Sequence, residues 1–214
     1  LALGLKERIK DKFVITINYA FKDFDSTFLC FSDKSFYHPN PVDKKPFIYE
    51  ELRQLPLIIG IDHNNIKEFK LPNTLLLKKS EIYHREKSKE KGFYRKWITG
   101  TLAISIASYL LNYEGQVFLL GFDWTKPVLG KETKTHYYNH TQHAGIGCTK
   151  VYNKDANVYF SAFDHEPNLK IYNVSLKSNI SNFEKIDYKR MFELLSSETY
   201  NQEELRSLIV KVLS

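Results

Sequence analysis

No apolar run in this sequence approaches the roughly 20 residues that a membrane-crossing helix requires, so no transmembrane segment is expected. Cysteine is nearly absent. The two present, Cys30 and Cys148, stand far apart in dissimilar surroundings, which argues against a disulfide framework and for a cytoplasmic setting. No signal peptide is recognisable. The chain opens on Leu1 without an initiator Met, and residues upstream of it are expected. A G-x-x-x-x-G-K-[ST] loop is missing, which excludes an ordinary P-loop nucleotide triphosphatase. No G-x-S-x-G elbow occurs, which counts against an α/β-hydrolase, and no complete G-x-G-x-x-G follows a strand. Neither an internal repeat nor a Pro/Gly-rich linker divides the chain, so a single domain over residues 1–214 is expected.

What the chain has in quantity is aromatic side chains, 14 Tyr and 15 Phe against one Met. Several of the tyrosines are then available to line a pocket through their hydroxyls. Apolar residues at 43% and charged residues at 26% belong to a globular protein rather than a disordered or fibrous one. The formal charge of +6 suits a protein that handles phosphates, and equally one that simply stays soluble; no nucleic-acid partner is expected. Lys and Arg are scattered except over residues 78–96 (KKSEIYHREKSKEKGFYRK). That stretch reads as a mobile, solvated basic insert, with a nucleic-acid or lipid-headgroup patch as the alternative.

Short apolar runs rich in β-branched and aromatic residues predict strands at 13–20 (FVITINYA), 27–31 (TFLCF), 57–61 (LIIGI) and 116–122 (QVFLLGF). A fifth lies at 169–174 and a weaker one at 74–78. Most are continuous rather than alternating, as in strands covered on both faces. Helices are predicted at 3–10, 49–54, 101–113, 187–195 and 202–213. The alternation predicts an α/β class: a Rossmann-like three-layer domain with a mainly parallel sheet, in which the first four strands are neighbours. The strongest local pattern is 97–124, where Thr99 or Thr101 is placed to cap a helix, Leu102, Ile106 and Leu110 form its apolar stripe, and Gly115 is placed to end it.

In open α/β sheets the ligand crevice lies beyond the carboxyl ends of the strands. Asn18, Asp33, Asp62 and Asp123 fall at such ends; singly each is an ordinary turn former, and together they favour a site. The helix start Thr99-Gly100-Thr101 adds unpaired N–H groups and a positive dipole end that suit an anion. A second cluster, residues 135–147 (THYYNHTQHAGIG), holds three of the seven histidines, His136, His140 and His143, beside Tyr137 and Tyr138. Zinc is one reading of that spacing; idle surface histidines, a general base and a phosphate contact are the others. No metal is expected.

The order of these segments carries a family resemblance: FVITIN, a strand ending FSDKSFY, TGTLAISIA with VFLLGFDW, the TH pair at Thr135-His136, then IYNVSLKSNISNF. The chain resembles, over most of its length, the Rossmann-like family that joins Campylobacter-type bacterial sialyltransferases with archaeal 6-hydroxymethylpterin diphosphokinase-like proteins, and many phage and metagenomic members. The resemblance implies a glycine-rich turn just before Leu1. It also implies a nucleotide held by Asn18, by Thr99, Gly100 and Thr101, and by Asp123, with Asp33 at the neighbouring strand end. By the same resemblance His136 is the general base, and Tyr137 and Tyr138 contact the phosphate. The implied activity is glycosyl transfer from a CMP-sugar to a small-molecule or glycan acceptor, without a cofactor; no obvious D-x-D metal pair is recognised, so an inverting transfer assisted by neutral hydrogen bonds is preferred to a metal-bound one. The alternatives are a diphosphokinase using Mg²⁺ on carboxylates such as Asp33 and Asp123, and a non-catalytic nucleotide-binding phage protein.

Overall fold

In the computed structural model of the chain, residues 4–32, 49–61, 71–96, 98–124 and 155–214 are described. In chain order the elements are α1 (Leu5–Ile9), β1 (Ile15–Ile17), β2 (Phe28–Cys30), α2 (Tyr49–Arg53), β3 (Ile58–Ile61), β4 (Thr74–Leu77), β5 (Lys79–Ser80), α3 (Ser88–Lys91), β6 (Phe93–Tyr94) and α4 (Thr99–Leu110). They continue with β7 (Gly115–Leu119), α5 (Asn157–Phe160), β8 (Leu169–Asn173), β9 (Glu184–Lys185), α6 (Tyr188–Leu194) and α7 (Gln202–Leu213). The residues divide into two compact units, Leu1–Asn112 with Ser197–Ser214, and Tyr113–Ser196. Every strand pair among the described residues is parallel. The architecture is α/β, the Rossmann-like class that the strand–helix alternation predicts.

The main sheet of the first unit runs in the order β1-β2-β3-β4, with Ile15 opposite Phe28, Leu29 opposite Ile58 and Ile58 opposite Thr74. The pleat sends Phe28, Cys30, Ile59 and Ile61 to one face and Leu29 and Ile58 to the other. All six are buried, which is why these runs read as continuous apolar segments rather than alternating ones. The first face packs Leu102, Ala103 and Ile106 of α4 and Ile209 and Leu213 of α7 into one core. On the second face, Phe31 lays its ring over the backbone of β3 at Gly60: a Cβ built there would stand 2.1 Å from Phe31 Cζ. The thiol of Cys30 is free and enclosed in this core, and burial pushes its pKa far up, so it is inert as a nucleophile.

The amino-terminal edge of this sheet is tied to α7. Arg206 donates through Nε to Thr27 O (2.9 Å) and through Nη2 to Ser26 O (3.1 Å). Gln202 Nε2 donates to Lys12 O at 3.0 Å and Gln202 Oε1 accepts from the Thr27 hydroxyl at 2.9 Å. The polar work at this edge is structural, which leaves the carboxyl edge for a ligand.

Three expectations about strand extent, strand pairing and the end of α4 are corrected. The run at 13–20 is a strand only over Ile15–Ile17, because Asn18 turns to φ 51 and opens a 3₁₀ turn, Asn18–Lys22. The run at 116–122 does not join the first three strands. Its strand, β7, pairs with β8, Gly115 opposite Leu169 through Leu119 opposite Asn173, in the sheet β7-β8-β9 of the second unit. The helix before it ends at Leu110 with Leu111 as its cap and Asn112 in the left-handed region at φ 51, and Gly115 is instead the first residue of β7.

Residues 78–96, expected as a solvated loop, carry β5, α3 and β6. Their composition hides an apolar core: Ser88, Phe93 and Tyr94 are buried. Tyr94 N donates to Ser105 Oγ at 3.0 Å, which pins β6 against α4, and Phe93 meets Tyr109 edge-on with ring centroids 5.4 Å apart. Gly92, at φ 110, lets β6 lie on β5, since a Cβ there would stand 2.6 Å from the Lys79 carbonyl carbon.

Candidate functional site

In the first unit the carboxyl ends of β1 and β2 meet the start of α4. Chain direction brings this about: Asn18 follows the last residue of β1, Ser32 lies two residues beyond β2, and Thr99 is the first residue of α4. The Thr99 hydroxyl donates to Asn18 Oδ1 at 3.2 Å, across 81 residues of sequence. Ser32 Oγ and Thr99 Oγ1 lie 2.8 Å apart, across 67 residues. A hydroxyl has one proton, and that of Thr99 goes to Asn18, so Ser32 is the donor to Thr99. The relay Ser32→Thr99→Asn18 fixes the Asn18 amide with its oxygen turned inward. Its Nδ2 donors have no acceptor among the described residues, and Asn18 is only half-buried.

The start of α4 has the electrostatics of an anion site. Its cap position is Ile98, no side chain among the described residues caps it, and no acidic residue occupies its first turn, so the helix itself supplies no charge to offset its first-turn N–H groups and the positive end of its dipole. Thr99, Gly100 and Thr101 are all buried. Neither threonine caps the helix as expected. Thr99 is spent on Asn18 and Ser32, and Thr101 Oγ1 donates to Ile98 O at 2.9 Å while accepting from Lys96 N at 3.1 Å. The threonines therefore brace the entry to the helix, and neither of them caps its backbone donors. Arg95 and Lys96 immediately precede this entry in the chain.

The second unit has a network of its own at the carboxyl ends of β7 and β8. Asn173 is fully buried. Its Nδ2 donates to Phe122 O (3.0 Å) and to Ser178 Oγ (2.9 Å), and Ser178 Oγ donates to Phe122 O at 2.6 Å while accepting from Ile180 N at 3.1 Å. Asn179 adds two bonds to the turn after β7, from its N to Asp123 O (2.9 Å) and from its Nδ2 to Trp124 O (2.9 Å). Trp124 sits at φ 48 in that turn and packs against Tyr159 and Phe160, with centroids 5.7 and 6.4 Å away. The Asp123 carboxylate is on an exposed residue; its carbonyl, not its side chain, is what the fold uses. Asn173 Oδ1 has no hydrogen-bond partner among the described residues.

That orphan acceptor orders two substitutions. Ser178→Ala removes a hydroxyl that serves three partners and leaves Asn173 with both ends under-satisfied, so it should cost about 2 kcal/mol. Asn173→Leu removes the orphan oxygen along with the amide, and replacing a poorly satisfied buried polar group by an apolar one of similar shape costs less, about 1 kcal/mol. Urea unfolding of both variants checks the order. A larger loss for Asn173→Leu would mean that Oδ1 is satisfied in solution.

Of the residues singled out from sequence, Asn18, Thr99, Gly100 and Thr101 are brought together in the first unit, and Asp123 belongs to the second. Asp33, Asp62, His136, Tyr137 and Tyr138 lie outside the described residues, as do His140, His143 and Cys148. Sequence reasoning missed Ser32, Asn173 and Ser178. It also passed over Asp23-Phe24-Asp25, a D-x-D sequence; Asp25 leads into the amino end of β2, away from Asn18 and Ser32. Among the described residues no group of three or more His, Cys, Asp or Glu is placed to hold a metal ion, and no helix is long and apolar enough to cross a membrane. The chain matches no known family model, no curated protein and no solved structure.

Proposed function

We propose that the chain binds the phosphate of a nucleotide-type ligand at the start of α4 and acts as a transferase on a nucleotide-linked donor. The observation that carries the phosphate assignment is the junction of Asn18, Ser32 and Thr99, which holds amide donors beside an uncapped helix start at the carboxyl edge of a parallel sheet. The first-turn N–H groups of α4 would bind two phosphate oxygens, and Asn18 Nδ2 a third. The narrower reading is glycosyl transfer from a CMP-sugar, in which an acceptor hydroxyl attacks the anomeric carbon, CMP leaves, and His136 takes the hydroxyl proton. It rests on the sequence resemblance.

Calorimetric titration with CMP, CDP and ATP, each with and without Mg²⁺, tests both levels. Binding of CMP and CDP without Mg²⁺ is the expected result. ATP binding that requires Mg²⁺, with no CMP binding, would replace glycosyl transfer by the diphosphokinase reading. No binding of any of the three would overturn the nucleotide assignment.

A further inference from the structure

The folded segment β5–α3–β6 concentrates the charge of the protein. Residues 78–96 hold eight Lys and Arg against three Glu, a net +5 of the chain's +6. Lys79, Lys87 and Lys91 are exposed and make no ion pair with a described residue. The segment is compact: Lys78 Nζ reaches Glu90 O at 3.4 Å, and β5 pairs directly with β6.

Apolar side chains accompany this charge without cover. Ile82, in the turn out of β5, is 67% exposed. Lys89 Nζ donates to Val212 O at 3.0 Å, which joins α3 to the last turn of α7. There Leu208 and Val212, one turn apart, flank the buried Ile209 and Leu213; Leu208 is 56% exposed. The segment thus combines unpaired lysines with a protruding aliphatic side chain, and a second aliphatic stripe begins where Lys89 ends.

We propose that this surface docks on a membrane leaflet that carries anionic headgroups. Lysines of this kind supply attraction to anionic lipid, and aliphatic side chains beside them enter the headgroup boundary. The same chemistry argues against single-stranded nucleic acid, which proteins grip with exposed aromatic rings interleaved among cations, and a duplex, gripped through its phosphates alone, would leave the exposed aliphatic side chains unused. Here Phe93 and Tyr94 are buried, Tyr83 is packed edge-on against Tyr94 at 5.9 Å, and the side chain left in solvent is Ile82, which has no π face. The docking proposal is independent of the nucleotide assignment.

Vesicle flotation of the full chain tests it, with phosphatidylcholine alone and with phosphatidylcholine mixed with phosphatidylserine. Binding is expected only to the anionic vesicles, and should fade as salt rises from about 0.1 M to 1 M and the Debye length falls from about 10 Å to 3 Å. The triple variant Lys79→Gln, Lys87→Gln, Lys91→Gln should bind about a hundredfold more weakly, at about fivefold per lysine. Ile82→Asp, at an exposed position that circular dichroism can confirm as folded, should lose at least about tenfold. Failure of the parent chain to float with anionic vesicles would overturn the proposal. So would loss in the lysine variant with none in Ile82→Asp, or charge-dependent binding to single- or double-stranded DNA without binding to vesicles.

Discussion

Gly60→Ala is expected to destabilise the first unit by about 3 kcal/mol, the upper end of the usual overpacking penalty. A Cβ at this position would stand 2.1, 2.6 and 2.8 Å from Cζ, Cε1 and Cε2 of Phe31. The ring cannot swing into solvent, since Phe31 is 1% exposed, and its own amide is tied to Ile59 O at 3.1 Å. Either β3 must move off β2, or the ring must leave its rotamer inside a packed core. Urea unfolding followed by circular dichroism should show a lower midpoint at unchanged slope. Phe31→Leu in the Gly60→Ala background should recover part of the loss, a coupling of about 1–2 kcal/mol. A Gly60→Ala protein as stable as the parent, or strictly additive losses, would sink this account of the contact.

That contact shows where sequence reading ends. LIIGI was legible as a strand because its apolar residues are contiguous, but a glycine inside a strand announces only that something comes close. The something is a ring from the neighbouring strand, set by the register of β2 on β3. Pairing partners are hidden for the same reason. The run at 116–122 is as apolar as the others, and nothing in it says that its partner is β8 rather than a strand of the first sheet. Residues 78–96 were misread because lysine dominates the composition, whereas Ser88, Phe93 and Tyr94 decide the fold. The junction at α4 was half legible. The edge rule brings Asn18 and Thr99 to one side of a parallel sheet before any coordinate is known. Ser32 was missed because it stands beside Asp33, which has the more obvious chemistry, and a buried serine is recognisable only from its partner.

The same junction yields a pair of variants that separate binding from folding. Asn18→Asp keeps an oxygen to accept from the Thr99 hydroxyl, and aspartate tolerates the left-handed backbone at φ 51 about as asparagine does. A carboxylate near an α4 start that has no acidic residue in its first turn should leave stability unchanged or raise it by about 0.3–1 kcal/mol. For a phosphate at the same place it is a like charge, worth up to about 4 kcal/mol at 4 Å and an effective dielectric constant of about 20. After screening, nucleotide affinity should fall about a hundredfold. Thr99→Val acts the other way. It conserves shape and removes the hydroxyl that links buried Ser32 to Asn18, at a cost of about 1–3 kcal/mol. The backbone donors of α4 survive, so affinity should drop by no more than about tenfold. Thermal unfolding and calorimetric titration with CMP and CDP read the two effects separately. An Asn18→Asp protein that binds nucleotide like the parent would remove the phosphate from this edge of the sheet. Parallel losses of affinity and stability in both variants would make the junction a brace for the fold and nothing more.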